Sequence, residues 1–171
     1  MLRLSKLTDY ATVVMAVLAV EHLRAATQTH NAVELAARAQ ISATTVSKLL
    51  KQLQRGGLVL SSRGAKGGYR LARMPETITV ADVIAALEGP IAVTDCSVHL
   101  GGCPIEVGCA ARAPLRLINV AIRQALEAVT MADMAASATA ARTPRLSVQM
   151  LAEFPLRFVQ SKSSSAKVRL P

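Results

Sequence analysis

Between Ala32 and Leu71 the hydrophobic period changes from helical to alternating, and few folds accommodate the order in which it does so. Residues 32–39 form a short helical pattern, and Gln40-Ile41-Ser42 makes a tight turn. A second helix is predicted from about Ala43 to Arg55, where Val46, Leu49, Leu50 and Leu53 recur at spacings of three and four. Gly56-Gly57 stops it, because glycine tolerates the left-handed backbone that ends helices. Leu58-Val59-Leu60 and Tyr69-Arg70-Leu71 then flank the polar, glycine-rich stretch Ser61 to Gly68, which predicts a β-hairpin. Upstream, residues 8–24 place Tyr10, Val13, Val14, Val17 and Leu18 on one helical stripe, with Thr8 as the expected N-cap. Helix, helix–turn–helix, hairpin is the order of a winged helix: a mainly α fold with a small β-hairpin wing.

The second half is built differently. Thr79 and Asp82 form a T-x-x-D capping box ahead of Val83, Ile84 and Leu87, and Gly89-Pro90 ends that helix. Residues 91–111 show no clean period, contain all three cysteines and are expected to form a loop. A long helix follows from about Pro114 to Val129, with the proline in its permitted first turn. Thr130-x-x-Asp133 restarts the chain. Past Ala136 the pattern fades into a basic tail, expected to be mostly disordered, with a short apolar patch at Met150 to Val159. The expected organisation is a winged helix–turn–helix domain over 1–75, a region of cysteine loop and long helix over 76–136 and a tail over 137–171.

Charge follows the same division. The chain of 171 residues has a formal net charge of +9, distributed as +7 over residues 1–72, −3 over 73–136 and +5 over 137–171. A basic front suits a polyanion. The first apolar run, Ala11 to Val20, is too short to span a bilayer, and no export signal is visible at the start, so a cytoplasmic protein without membrane contact is expected. His22, His30 and His99 are scattered, and no triad, metal-helix motif or nucleotide loop is present; the chain does not read as an enzyme.

In a helix–turn–helix the second helix enters the major groove of double-stranded DNA. The polar residues at its head here are Ser42, Thr44, Thr45, Ser47 and Lys48, whose hydroxyls and ammonium can meet base edges or phosphates. Lys51 and Arg55, further along, suit phosphate contact. The hairpin tip Arg63-Gly64-Ala65-Lys66-Gly67-Gly68 adds Arg63 and Lys66 beside glycines that let a backbone lie close to a partner. A wing arginine can enter a narrow minor groove.

Cys96, Cys103 and Cys109 are spaced C-x6-C-x5-C, within fourteen residues of an otherwise cysteine-free chain. Thiolates bind soft metals and iron–sulfur clusters. The spacing is not that of a CxxC zinc ribbon, although zinc on the three cysteines and His99 stays open. A cluster would need a fourth ligand, for which His99, Glu106 and the remote Asp9 are candidates.

These residues carry a family resemblance over about residues 2–136. LSKLTDYA at 4–11, ISATTVSKLLKQLQRGGLV at 41–59, SSRGAKGGYRL at 61–71, ITVADVIAALEG at 78–89 and the three-cysteine loop resemble the IscR-like winged-helix regulators of bacteria. GGCP in the loop and LINVAI in the following helix look most like the branch that regulates SUF-type cluster assembly. The resemblance implies a homodimer joined by the long helix, where Leu115, Ile118, Ile122, Ala125 and Val129 repeat at three and four, as a helix–helix seam requires. It implies a cluster on Cys96, Cys103 and Cys109, [2Fe-2S] favoured over [4Fe-4S], near the first helix of the partner subunit. It also implies a palindromic operator and repression of SUF-type assembly genes. The founding member has a histidine three residues after its last cysteine, where this chain has Arg112, which cannot ligate; its first cysteine gap is also one residue shorter. A nitric-oxide-sensing branch uses an acidic residue in its N-terminal L-T-D stretch, which favours Asp9 here as fourth ligand. The alternative is a metal-free cysteine-redox or nitrosative-stress regulator.

Overall fold

A computed structural model describes residues 4–64, 67–94 and 108–139. Among the described residues, six helices and one two-stranded antiparallel sheet follow the order α1 (Lys6–Arg24), α2 (Ala32–Ala39), α3 (Ala43–Arg55), β1 (Val59–Ser62), β2 (Gly68–Leu71), a 3-10 turn (Pro75–Thr77), α4 (Val80–Glu88), α5 (Arg112–Glu127) and α6 (Met131–Thr139). This is the expected winged helix.

The core is aliphatic, as a chain with no Trp and two Phe requires. Met15 and Leu18 of α1, Leu35 of α2, Val46, Leu49, Leu50 and Leu53 of α3, Leu71 of β2, Ile78, Val83 of α4 and Met131 of α6 join one buried cluster. α1 packs against α2, α3, α4 and α6. The two T-x-x-D caps lie side by side. Val80 N–H donates to Val129 O at 2.9 Å and Met131 N–H to Ile78 O at 2.8 Å, so α4 and α6 start from one short bridge.

Two expectations at α1 are corrected. The helix begins at Lys6, and its N-cap is Ser5, whose Oγ accepts from Thr8 N–H at 3.2 Å; Thr8 lies inside the first turn, fully buried. The buried stripe is also rotated from the expected one. Ala11, Val14, Met15, Leu18 and Ala19 face inward while Val13 is 42% exposed. Alanine and threonine let neighbouring helices approach closely, so α1 turns its small residues to the most crowded side.

α5 starts at Arg112, two residues before Pro114, and the hairpin strands run to Ser62 and from Gly68. The tail over 140–171 lies outside the described residues.

Candidate nucleic-acid interface and cysteine segment

The helix–turn–helix is set by caps and charges. Asn31 Oδ1 accepts from Glu34 N–H at 2.8 Å to start α2. Gln40 then takes the left-handed conformation, with φ 55°, and turns the chain into α3. Ser42 Oγ accepts from Thr45 N–H at 3.3 Å and lies 2.7 Å from Thr45 Oγ1. Two of the predicted DNA-contacting hydroxyls therefore start the helix, and both remain at its head. α2 is fastened to α1 by the buried Glu21, which pairs with Arg38 and with Arg24.

On α3 the buried Val46, Leu49, Leu50 and Leu53 leave a complementary outer face. Thr44, Lys48, Lys51 and Arg55, spaced four, three and four, are all exposed; Ser47 and Thr45 are half-buried beside them. No acidic residue occurs on α3. Helical periodicity places these four side chains in one row, with a helix N-terminus at one end that favours an anion.

The wing is anchored from an unexpected direction. β1 and β2 pair with Val59 opposite Leu71 and Ser62 opposite Gly68. The backbone of His30, just before α2, adds to the free edge of β2: His30 N–H donates to Tyr69 O at 3.0 Å and Tyr69 N–H to His30 O at 2.8 Å. The His30 backbone comes so close that a Cβ on Gly68 would stand 2.7 Å from His30 O. The His30 ring is buried and shares a 3.0 Å hydrogen bond with Glu34. That bond, with the charges of His30 and Arg38 adding to it, holds the Glu34 carboxyl below the usual carboxylate range. The hairpin is thus tied to the start of the helix–turn–helix. Arg63 is exposed at the end of β1; Lys66 lies outside the described residues.

Of the predicted cluster ligands, Cys109 and Asp9 are described. Cys109 is a free, half-buried thiol immediately ahead of α5, and its carbonyl accepts from Arg112 N–H at 3.2 Å. Asp9 is exposed on the first turn of α1, and its carboxylate makes no hydrogen bond or ion pair among the described residues. Cys96, Cys103, His99 and Glu106 lie outside them. Among the described residues no group of three metal-ligating side chains comes together, so the expected ligand set is represented by two of its members only.

α5 packs only partly on its own domain, with Leu115, Ile122 and Leu126 half-buried. Its polar residues Asn119, Arg123 and Glu127 turn toward α4, where they line a cleft of about 470 Å³ with Ala81, Asp82 and Ala85. Asn119 Oδ1 accepts from Val93 N–H at 3.1 Å. None of its residues is buried, and Leu117, Ile118 and Val120 are 57%, 48% and 51% exposed. Of the expected seam, Ile118 and Ala125 are exposed and Leu115, Ile122 and Val129 are half-buried, Val129 lying just beyond the end of α5. No helix among the described residues is long and apolar enough to cross a membrane.

The contacts of Glu88 are not legible in the sequence. Its Oε1 accepts from Ser5 N–H at 2.8 Å and from the Thr8 hydroxyl at 2.5 Å. Its partners lie more than eighty positions away, and no local motif announces them.

Comparison with known proteins agrees with this architecture. The family model described as Rrf2, iron-dependent transcriptional regulator, matches residues 4–137. Protein rrf2 of Nitratidesulfovibrio vulgaris is 35% identical over 101 residues, covering 59% of this chain and 67% of that protein. The structure of CymR, described as the global cysteine regulator of B. subtilis, superposes with a TM-score of 0.63 at 32% identity, covering 80% of this chain and 98% of CymR. IscR of T. potens superposes with a TM-score of 0.62 at 29% identity, covering 83% and 92%. These relatives make the function one of transcriptional regulation rather than enzymatic catalysis. With a family match over most of its length and this winged-helix fold, the chain belongs to the Rrf2 family of transcriptional regulators.

Proposed function

We propose that this regulator is a homodimeric repressor of SUF-type iron–sulfur assembly genes, whose affinity for a palindromic operator is set by a [2Fe-2S] cluster on Cys96, Cys103 and Cys109, with Asp9 of the partner subunit as fourth ligand. The observation that carries the DNA-binding half is the acid-free row Thr44, Lys48, Lys51 and Arg55 on the outer face of α3. Ser42, Thr45 and Ser47 sit at the head of the same helix for base or phosphate contact, and Arg63 and Lys66 of the wing grip the neighbouring groove. Lys and Arg neutralise phosphates and supply most of the affinity, while Thr44 and Ser47 read bases.

The donor chemistry suits a cluster: soft thiolates from one short segment, Cys109 being free among the described residues, and a carboxylate on Asp9 with no hydrogen bond or ion pair among the described residues. When bound, the cluster would supply sensitivity to oxidants and iron supply. Asp9 would then tie α1 of one protomer to the cysteine segment of the other and set the spacing of the two recognition helices, which must match two half-sites. The exposed Leu117, Ile118 and Val120 of α5, a helix with no buried residue in the single copy, support the dimer.

A metal-free thiol switch is the second reading. The similarity to CymR, described as a cysteine regulator, and the free Cys109 favour it as much as the similarity to IscR favours a cluster.

The deciding experiment is purification without oxygen, followed by visible absorption and assay of iron, acid-labile sulfide and zinc, for the wild type and Asp9→Ala. Iron and sulfide in the wild type, with an altered spectrum in the variant, is the expected result. Colourless protein lacking both after reconstitution overturns the cluster. DNA binding that then tracks thiol titration selects the thiol switch.

A further inference from the structure

His30 has two ties of different kinds. Its backbone holds the free edge of β2, and its buried ring is shut between two helices. Nδ1 lies 3.0 Å from Glu34 Oε1 of α2, and Nε2 lies 3.9 Å from Glu21 Oε2 of α1. Arg38 pairs with both of these glutamates, and Arg24 pairs with Glu21. His22 of α1 and Arg70 of β2 line one small cavity with His30 and Gln28. Two carboxylates therefore face the ring, with three arginines and a second histidine around them.

A neutral imidazole offers one donor and one acceptor, whereas a protonated one offers two donors. Glu34, held below the usual carboxylate range, is an acceptor, so the proton of a neutral ring belongs on Nδ1. That leaves Nε2 as a bare lone pair. It is buried, has no hydrogen-bond partner among the described residues and stands within ion-pair range of a second carboxylate. A buried polar atom without a partner costs stability, and a lone pair repels a carboxylate. A proton on Nε2 reverses the sign of that contact, because an N–H then faces Glu21. Burial and the arginines oppose the added charge. The half-buried Glu34 leaves the group a route to solvent.

We propose that His30 is a positioning residue for the wing, and that protonation of its ring tightens its hold. The proposal rests on the reading that the wing grips DNA. When protonated, the ring clamps residue 30 to both α1 and α2, and its backbone carries Tyr69 and the hairpin with it. When neutral, the ring keeps Glu34 alone, and the bridge to Tyr69 opens more often. DNA affinity then falls as pH rises through the titration of the ring.

Two measurements on the full chain test this at constant ionic strength over about pH 5.5 to 8.5, the range that brackets ordinary imidazole titration. Hydrogen exchange at the Tyr69 amide, corrected for its intrinsic pH dependence, reads the bridge without DNA. Fluorescence anisotropy reads affinity for one fixed duplex, selected by the wild type from a random-sequence pool. In the wild type, Tyr69 protection and affinity are each expected to fall by about three-fold or more from the acid end to the alkaline end. His30→Gln keeps a donor for Glu34 but cannot titrate, so both readings should lose that dependence; a merely structural role would lower them equally at every pH. His22→Gln, in the same cavity, should keep the wild-type response. Glu21→Gln, whose amide can donate to a neutral Nε2, should shrink the response, and it carries the test if His30→Gln does not fold. A flat wild-type Tyr69 profile overturns the clamp, as does a response undiminished in the folded His30 and Glu21 variants or abolished in His22→Gln alone. Tyr69 protection that falls while affinity does not supports the clamp and refutes the wing as a DNA contact.

Discussion

At the scale of single residues, the row on α3 divides by chemistry. Lys48 and Lys51 are exposed and have no hydrogen bond or ion pair among the described residues, as the proposed phosphate contacts require. Replacing either by alanine is expected to weaken DNA binding almost uniformly across sequences and to lower the slope of log affinity against log salt by about one. Thr44→Ala is instead expected to alter which sequences are preferred. Fluorescence anisotropy over a salt series, on a specific and a scrambled duplex, separates the two outcomes. A salt slope unchanged in both lysine variants would remove α3 from the phosphate backbone. Glu34 and Glu88 carry a different expectation. Both carboxyls are held below their ordinary value of 4.5, the first by His30 and the second by Thr8. A depressed folded value means that the stabilisation is complete above the unfolded value and disappears as pH falls through the folded one. Thermal melts of the wild type should therefore fall off below about pH 4.5 more steeply than those of Glu34→Gln, whose side chain does not titrate. Parallel curves would show that the His30 bond contributes nothing to the pH dependence.

At the scale of elements, α3 was legible because its four apolar residues answer to its own helical period, and each of them is fully buried. The caps of α4 and α6 were legible for a similar reason: Thr79 with Asp82, and Thr130 with Asp133, bond within four residues. The start of α1 was not. Ser5 and Thr8 are both hydroxyl residues three apart, and what selects Ser5 as the cap is Glu88 on another helix. The wing was legible as strand–glycine–strand, but not its anchorage, because His30 joins β2 through backbone atoms, which any residue carries. That anchorage makes a specific prediction. Gly68→Ala drives a Cβ against His30 O, so the bridge must open. The expected loss is about 1–3 kcal/mol, the range for overpacking a tight contact, together with weaker DNA binding as the hairpin leaves its register. Denaturant melts and anisotropy on the same variant check both. A variant of wild-type stability would show that the His30 edge is loose enough to yield.

At the scale of the whole molecule, the question is what covers α5. A helix with no buried residue that leaves Leu117, Ile118 and Val120 exposed contradicts the rule that helices bury their apolar face, if one copy is all there is. A second copy removes the contradiction. In the proposed homodimer Leu115, Ile118, Ile122 and Ala125 of α5 would meet their symmetry mates in an isologous interface, and the two α3 helices would become a pair with a fixed separation. On that proposal, binding to a two-half-site operator would follow from the separation, not from either helix alone. Ile118→Glu, at the middle of the seam, places a carboxylate in the apolar contact and is expected to give a folded monomer. Because α5 contributes no buried residue to its own domain, the change should leave the helical spectrum of the single copy in place. Sedimentation would read a mass near 18.0 kDa for the variant against twice that for the wild type. Affinity for a palindromic duplex should fall by about 10²-fold or more, since one arm of a two-point attachment is lost, while affinity for an isolated half-site should change little. A variant that still sediments as a dimer would move the interface away from α5. A monomer that kept full operator affinity would show that the two recognition helices act independently, and the spacing of α3 helices could then no longer be the quantity that the cysteine segment controls.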